Sequence, residues 1–314
     1  MLRLRESILS HILSSPSKAA FSPLRRLLSA TAGPVSSNQG FAVEDYLVGT
    51  CGLTRPQALK ASTKLSHLNS PAKPDAVLAF LAGLGLSGAD AAAVVAKDPQ
   101  FLCAKVDKTL VPVVAGLASL GLSRPEIARL VSLAHSGFRS RSIISKMHYY
   151  LPLFSSCHNF LRALQRSSYL LSSDLDKITA KVDYLKKTLR WSDAEASIAV
   201  RKHPGVLRKS KESLKSRSKF LLYEVGLEPV YIAHRPTFLS LSLEGRLRPW
   251  HYVVKFLKEN GFVDRDLSFY SVVMRPEKYF MEKYICPHKK AAPHLAEDYA
   301  TACKGEVPAN FKFT

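Results

Sequence analysis

Ten histidines and five cysteines are the residues from which a metal site or a nucleophile would be built. Their spacing builds neither. Cys51, Cys103, Cys157, Cys286 and Cys303 are scattered with no Cys-x-x-Cys pair, which argues against a disulfide framework and fits a reducing compartment. Cys286-Pro287-His288, with His294 and Cys303, has ligand types, but one residue between the first two is too few for structural zinc. Gly83-Leu84-Gly85-Leu86-Ser87-Gly88 matches G-x-G-x-x-G, which cradles a dinucleotide only when a strand precedes it, and Ala76 to Ala82 is helical in character. Ser216-Arg217-Ser218-Lys219 copies a hydrolase S-x-x-K pattern in a stretch so rich in both residues that coincidence accounts for it. No histidine pairs with a carboxylate or serine at catalytic spacing. The expectation is no enzyme, no metal and no cofactor.

What remains is charge. The 314 residues carry 45 Lys and Arg against 25 Asp and Glu, a net +20, and residues 137–220 hold 18 of the bases and only 6 of the acids. A merely solubilising surface would spread that excess, whereas a concentrated field points to a polyanion, nucleic acid before anionic membrane. The candidate phosphate ligands are Arg139, Arg141, Lys146, Arg162, Arg166, Lys177, Lys181, Arg201, Lys202, Arg208, Lys209, Lys211, Lys215 and Arg217, with Arg235 and Arg275 beyond. A helix balanced for its own stability would pair such residues with acids four positions away, yet around Lys211 and Lys215 the one acid is Glu212. Tyr149, Tyr150, Phe154, Phe160 and Tyr169 have the chemistry to stack on unpaired bases, although a place in the core is the better expectation for each.

The elements that hold these residues repeat. Gly-Leu or Gly-Phe followed by a polar residue recurs at Gly52-Leu53-Thr54, Gly85-Leu86-Ser87, Gly121-Leu122-Ser123, Gly226-Leu227-Glu228 and Gly261-Phe262-Val263-Asp264, and Arg190-Trp191-Ser192 fills a missing place. Ser156 marks a weaker copy. The period is about 35 residues. A glycine past an apolar run ends one helix, and the Ser or Thr two residues on caps the next, as in Thr54/Gln57, Ser123/Glu126 and Ser192/Glu195; in Ser87/Asp90 the acid is shorter. A second mark follows each pair of helices: Asp98-Pro99, His203-Pro204, Arg235-Pro236 and Arg275-Pro276, each leading into apolar residues able to cover the seam. Between the marks the pattern is amphipathic, as with Leu175, Ile178, Val182, Leu185 and Leu189. The spacing predicts an all-α, superhelical solenoid of about seven helical repeats over residues 41–286, followed by a C-terminal tail over 287–314.

These marks are similar to those of the mitochondrial transcription termination factor (mTERF) family. The stretches Phe138 to Ser142, Tyr149 to Phe154, Arg166 to Leu175 and Asp266 to Val272 resemble its plant branch. The resemblance implies a curved array of repeats, each two helices and a short third. It also implies binding to organellar DNA or RNA, affecting transcription termination, transcript processing or intron splicing, with other gene-expression proteins as further partners. Two places depart from the pattern: Arg190-Trp191 replaces Gly-Leu, and His135-Ser136-Gly137 stands where Pro-x-x-Leu is expected.

Residues 1–40 read as an address. They hold Arg3, Arg5, Lys18, Arg25 and Arg26, nine serines and a single acid, with Leu2, Leu4, Ile8, Leu9, Ile12 and Leu13 forming an apolar helical face. A disordered organelle transit peptide is expected, mitochondrial in preference to chloroplast. No apolar run reaches the ~18 residues of a membrane span, and a monomer is expected. The competing function class is a helical-repeat scaffold for protein partners, which the charge excess disfavours.

Overall fold

In the computed structural model, which describes residues 41–306, the chain forms two compact units, one ending at Tyr149 and the next beginning at Tyr150. Both are all-α, a helical-repeat architecture with no strand among the described residues. The expected transit peptide lies outside those residues. No described helix is long and apolar enough to cross a membrane.

The 35-residue rhythm is written in the backbone. Gly52, Gly85, Gly121, Gly226 and Gly261 take φ between 70 and 93°, and Ser155 (62°) and Arg190 (54°) take the same left-handed conformation without being glycine. These seven positions follow one another at 33 to 36 residues. At Gly85 the geometry is a Schellman closure: its N–H donates to Ala82 O (2.9 Å), and the Leu86 N–H donates to Leu81 O (3.1 Å). Leu53, Leu86, Leu122 and Trp191, each just past its turn, are buried. The weaker copy expected at Ser156 turns one residue earlier, at Ser155. Ser156 is the N-cap, its hydroxyl accepting from the Asn159 N–H at 3.2 Å.

All four capping pairs form. The capping carboxylate or amide reaches the cap N–H at 3.0 Å from Gln57, 2.8 Å from Glu126 and 2.7 Å from Glu195. Asp90, one methylene shorter, reaches only 3.4 Å, so its box is the weakest. The G-x-G-x-x-G match lies across the Gly85 turn between helices Ala72–Gly83 and Gly88–Lys97, where a helix stands in place of the strand a dinucleotide site needs.

The second mark is a break in φ,ψ followed by a short helix. Asp98, His203 and Arg235 share φ near −130 to −142° and ψ of 53 to 83°, because the proline that follows pushes them out of the helical region. The short helices Pro99–Cys103, Pro204–Arg208 and Pro236–Ser240 then fully bury Leu102, Leu207 and Leu239. Two further copies lack the proline. Ser167 (φ −152°, ψ 94°) precedes Tyr169–Ser172, which buries Leu170 and Leu171. Ala134 (φ −127°, ψ 31°) breaks the helix Arg124–Phe138, so that Phe138 fills the leucine position. The departure noted at His135-Ser136-Gly137 is therefore a repeat whose break is made by the packing of Phe138. After Pro276 the buried residue is Phe280, while Tyr279 is exposed.

Within the C-terminal unit, Ile178, Val182, Leu185 and Leu189 are buried as the periodicity requires, and Leu175 is half-buried. Tyr150, Phe154 and Phe160 form one buried cluster, with Tyr150 and Phe160 stacked at 5.0 Å and the Tyr150 hydroxyl donating to Leu170 O. They are core residues, as Tyr149 and Tyr169, half-buried, in part also are. The expected tail contains a further packed helix, Leu295–Cys303. It buries Leu295, Tyr299 and Ala302, and the Tyr299 hydroxyl donates to Glu277 at 2.9 Å and meets the Trp250 indole N–H at 3.3 Å. A nonamer with three apolar anchors thus folds onto its neighbour within the stretch expected as a tail. His288 and His294 there pack against Phe262 and Phe256, and no three metal-ligating side chains gather among the described residues.

Two expectations follow. A left-handed arginine is strained by roughly 1 kcal/mol relative to glycine, so Arg190→Gly should raise stability in urea by about 0.5–1 kcal/mol; a decrease would show that the Arg190–Tyr223 hydrogen bond (3.4 Å) outweighs the strain. His251 sits edge-on between Phe220 (5.6 Å) and Phe269 (5.4 Å), and burial, aided by Lys255 and Lys258, pushes its pKa down to about 4. The folded state resists the proton that the unfolded chain binds below about pH 6.5. Stability contributed by the neutral ring is therefore present above pH 6.5 and is lost as pH falls toward 4. Relative to His251→Leu, the natural protein should lose about 1–3 kcal/mol across that window, measured by urea titration at pH 7 and 4.5.

Candidate nucleic-acid interface

The long helices Leu175–Leu189 and Lys211–Lys219 open equivalent repeats, with Asp174 and Ser210 at their N-cap positions. Seven residues beyond each cap stands a base: Lys181 in the first helix and Arg217 in the second. Lys181 Nζ donates to Lys209 O at 2.7 Å, and Arg217 Nε donates to Leu241 O at 2.6 Å. Both acceptors are the residue just past the short post-proline helix that closes the same repeat. The last carbonyls of a helix have no partner of their own and carry the negative end of its dipole, so a cation is the natural cap there. Burial lowers the pKa of Lys181 and of Arg217, with Lys211 adding repulsion at Lys181, as expected of cations held in part-buried struts. Lys209 Nζ reaches Ser240 O at 3.3 Å, and Lys202 Nζ reaches His234 O at 3.0 Å.

Other candidate residues are also engaged. Arg139 pairs with Asp98 through Nε (3.0 Å) and Nη2 (3.3 Å). Burial works to raise the Asp98 carboxyl, but the Arg139 and His135 beside it outweigh burial and hold it below the usual carboxylate range. His135 Nδ1 stands 3.9 Å from the Asp98 carboxylate. Arg141 reaches Lys108 O (3.4 Å), Arg166 its own helix at Arg162 O (3.3 Å), and Arg201 the Ser155 hydroxyl (3.4 Å). Lys177 pairs with Asp174 at 3.0 Å, both exposed, an ion pair of little energetic weight in water. Arg235 lies over the Tyr231 ring (4.0 Å) and Tyr270 (5.5 Å), and Arg275 over Tyr279 (5.3 Å). Lys146 is half-buried.

That leaves Arg162, Arg208 and Lys215, whose exposed side chains are turned to solvent, and Lys211, exposed over the Tyr184 ring at 5.6 Å. Lys219 is exposed too, and it continues a stripe at four-residue spacing from Lys211 through Lys215. Sequence reasoning misses Lys219 as a candidate, although the four-residue spacing is there to be read. Around Lys211 the field is locally positive: Lys181 feels it, and Glu212 is held below its usual range by hydrogen bonds at the helix start and then by Lys181 and Lys211. Nearby, burial and then Lys209 and Arg166 lower the pKa of His203, whose Nε2 lies 2.6 Å from the Ser240 hydroxyl. The structure thus brings Arg166, Lys181, Lys209 and Lys211 into one electropositive neighbourhood. It ties Arg235 and Arg275 to aromatic rings instead.

Residues 138–281 match the family model of mTERF. This stretch belongs to the mTERF family. It spans both the struts and the lysine stripe. A relative, the mitochondrial transcription termination factor MTEF18 of Arabidopsis thaliana, is 28% identical over 102 residues. The match covers 32% of this chain and only 18% of the relative, so the chain spans well under two thirds of that protein. Within this stretch the break-and-short-helix unit recurs with a proline, as at Pro204 and Pro236, and without one, as at Ser168.

The division into struts and stripe is testable. Lys181→Met should cost about 1–2 kcal/mol in urea unfolding, the scale of a hydrogen bond to a charged donor, whereas Lys215→Gln should change stability by less than about 0.5 kcal/mol. Equal costs would show that Lys181 is as dispensable to the fold as a solvated lysine.

Proposed function

We propose that this chain is an organellar nucleic-acid-binding protein that regulates gene expression, acting in the mitochondrion through phosphate contacts made by the exposed cations of its mTERF stretch. The observation that carries the reading is the stripe Lys211, Lys215 and Lys219 with Arg208, exposed and nearly free of acids, in a chain of net +20. Contacts of this kind supply affinity and register without reading sequence, and they release counterions on binding. The name of the Arabidopsis relative, which speaks of termination and of mitochondria, supports the compartment and the class of activity. An import segment in residues 1–40 belongs to the same proposal.

The test is a salt titration of nucleic-acid binding. Arg208, Lys211 and Lys215 changed together to Gln should weaken binding to all sequences alike. The slope of log K against log salt should flatten by roughly 0.7–0.9 for each phosphate that is no longer neutralised. Lys209 is left in place because it also holds Ser240 O. The matched control, Lys60, Lys64 and Lys258 to Gln, should leave the slope nearly unchanged. Equal flattening in both would mean a global field in place of a local footprint. No binding by the unaltered protein to duplex, single-stranded DNA or RNA would put the helical-repeat scaffold ahead.

A further inference from the structure

In the N-terminal unit a cavity of about 370 Å³ opens beside the first post-proline helix, lined by His67, Gln100, Cys103, Lys105, Thr109 and Arg139. Every polar side chain in that lining can donate a hydrogen bond, two are cations, and no carboxylate is among them. The size suits a phosphate with a small organic group attached. Asp98 does not line the cavity; it grips Arg139 by Nε and Nη2, which fixes the guanidinium and leaves Nη1 unclaimed. The positive field reaches the cavity interior. Burial pushes the Cys103 thiol up, and Arg139 and then Lys73 pull against it.

Lys105 makes the case specific. It occupies the N-cap of the helical stretch 106–119, with no side-chain cap bond. At the corresponding position of two later repeats, Ser210 and Ser242 accept a backbone N–H of their helix, whereas Asp174 makes no such bond. A lysine there forgoes the cap and places a cation at the positive end of the helix dipole, two unfavourable choices at once. An anion between Lys105 and Arg139 would reverse both. A cation set at a helix start, beside a cavity built of donors, is a place that favours an anion.

We propose that this cavity binds a phosphate group, with Lys105 and Arg139 as its charged ligands and Thr109 and Gln100 as neutral donors. The phosphate is either that of a free phosphomonoester or one of a nucleic-acid backbone. The first form stands apart from the function proposed above, and the second rests on it. Neither Lys105 nor Thr109 lies in the basic segment, so composition alone passes the site over.

The experiment uses the full chain and reads the site locally. Alkylation of Cys103 by iodoacetamide is followed by peptide mass spectrometry, with Cys286, exposed and outside the cavity, as internal standard. The probes are adenosine monophosphate, inorganic phosphate and a 20-base-pair duplex, each against chloride at equal ionic strength. A phosphomonoester site predicts at least fivefold slower labelling of Cys103 with adenosine monophosphate or phosphate, and disappearance of that protection in Lys105→Gln and in Thr109→Val. A backbone site predicts protection by the duplex alone, with a salt slope about 0.9 shallower in Lys105→Gln. Two variants guard against one that misfolds, and Lys105→Arg should retain protection. Unchanged Cys103 labelling with all three probes overturns the proposal. If the duplex nevertheless binds, the nucleic-acid reading survives that failure.

Discussion

Every repeat must reverse direction, and each reversal leaves helix ends whose backbone groups need partners. That constraint organises the molecule. At Gly85, Gly121 and Arg190 the left-handed residue closes the preceding helix through its own N–H and that of the next residue, and the serine that follows caps the helix beyond. Where the turn residue is not glycine, the same conformation persists at Ser155 and Arg190, because the neighbouring packing determines it more strongly than local preference opposes it. Trp191, buried just after Arg190 and donating its indole N–H to Pro229 O at 2.9 Å, shows what holds that turn. The repeat is thus fixed by backbone satisfaction first and by side-chain identity second.

That order explains what was legible in the sequence. Gly-Leu-Ser and the proline marks are local signals with local causes, and they place the turns, caps and short helices to within a residue. The break at Ala134 and the short helix after Ser167 carry no such signal, since nothing in Ala134-His135 or Ser167-Ser168 forbids a continuing helix. They exist because Phe138, Leu170 and Leu171 have a seam to fill, which is a tertiary fact. The helix Leu295–Cys303 escapes notice for the opposite reason: its sequence is weakly patterned, and its anchors Tyr299 and Leu295 gain meaning only against Trp250 and its neighbours.

The basic segment was legible as a quantity and not as a site. Composition locates the excess of Lys and Arg, yet it cannot separate a lysine that contacts phosphate from one that caps a helix end, because the carbonyl that receives Lys181 or Arg217 belongs to a residue some 24 to 28 positions on and can be of any type. Both roles favour a long cation with an apolar stem, which snorkels along the repeat seam before reaching its acceptor. Register resolves them: position seven after the cap is a strut in both helices, whereas Lys211, Lys215 and Lys219 run along the solvent side. The distinction is thus present in the sequence, but only as an alignment of one repeat upon the next.

The struts and the stripe also bear on one another. A chain with a large net positive charge repels itself, and it does so most where the bases are densest. Threading some of those bases onto helix-terminal carbonyls converts part of that repulsion into cohesion within each repeat, in the segment that would otherwise be the least comfortable to fold. The exposed cations Lys211, Lys215 and Lys219 then sit on a scaffold held by charge-assisted bonds, at the four-residue spacing of a single helix face. An interface made this way is stiff in register and indifferent to base identity, which suits contacts to a regularly spaced phosphate chain better than to an irregular acidic protein surface.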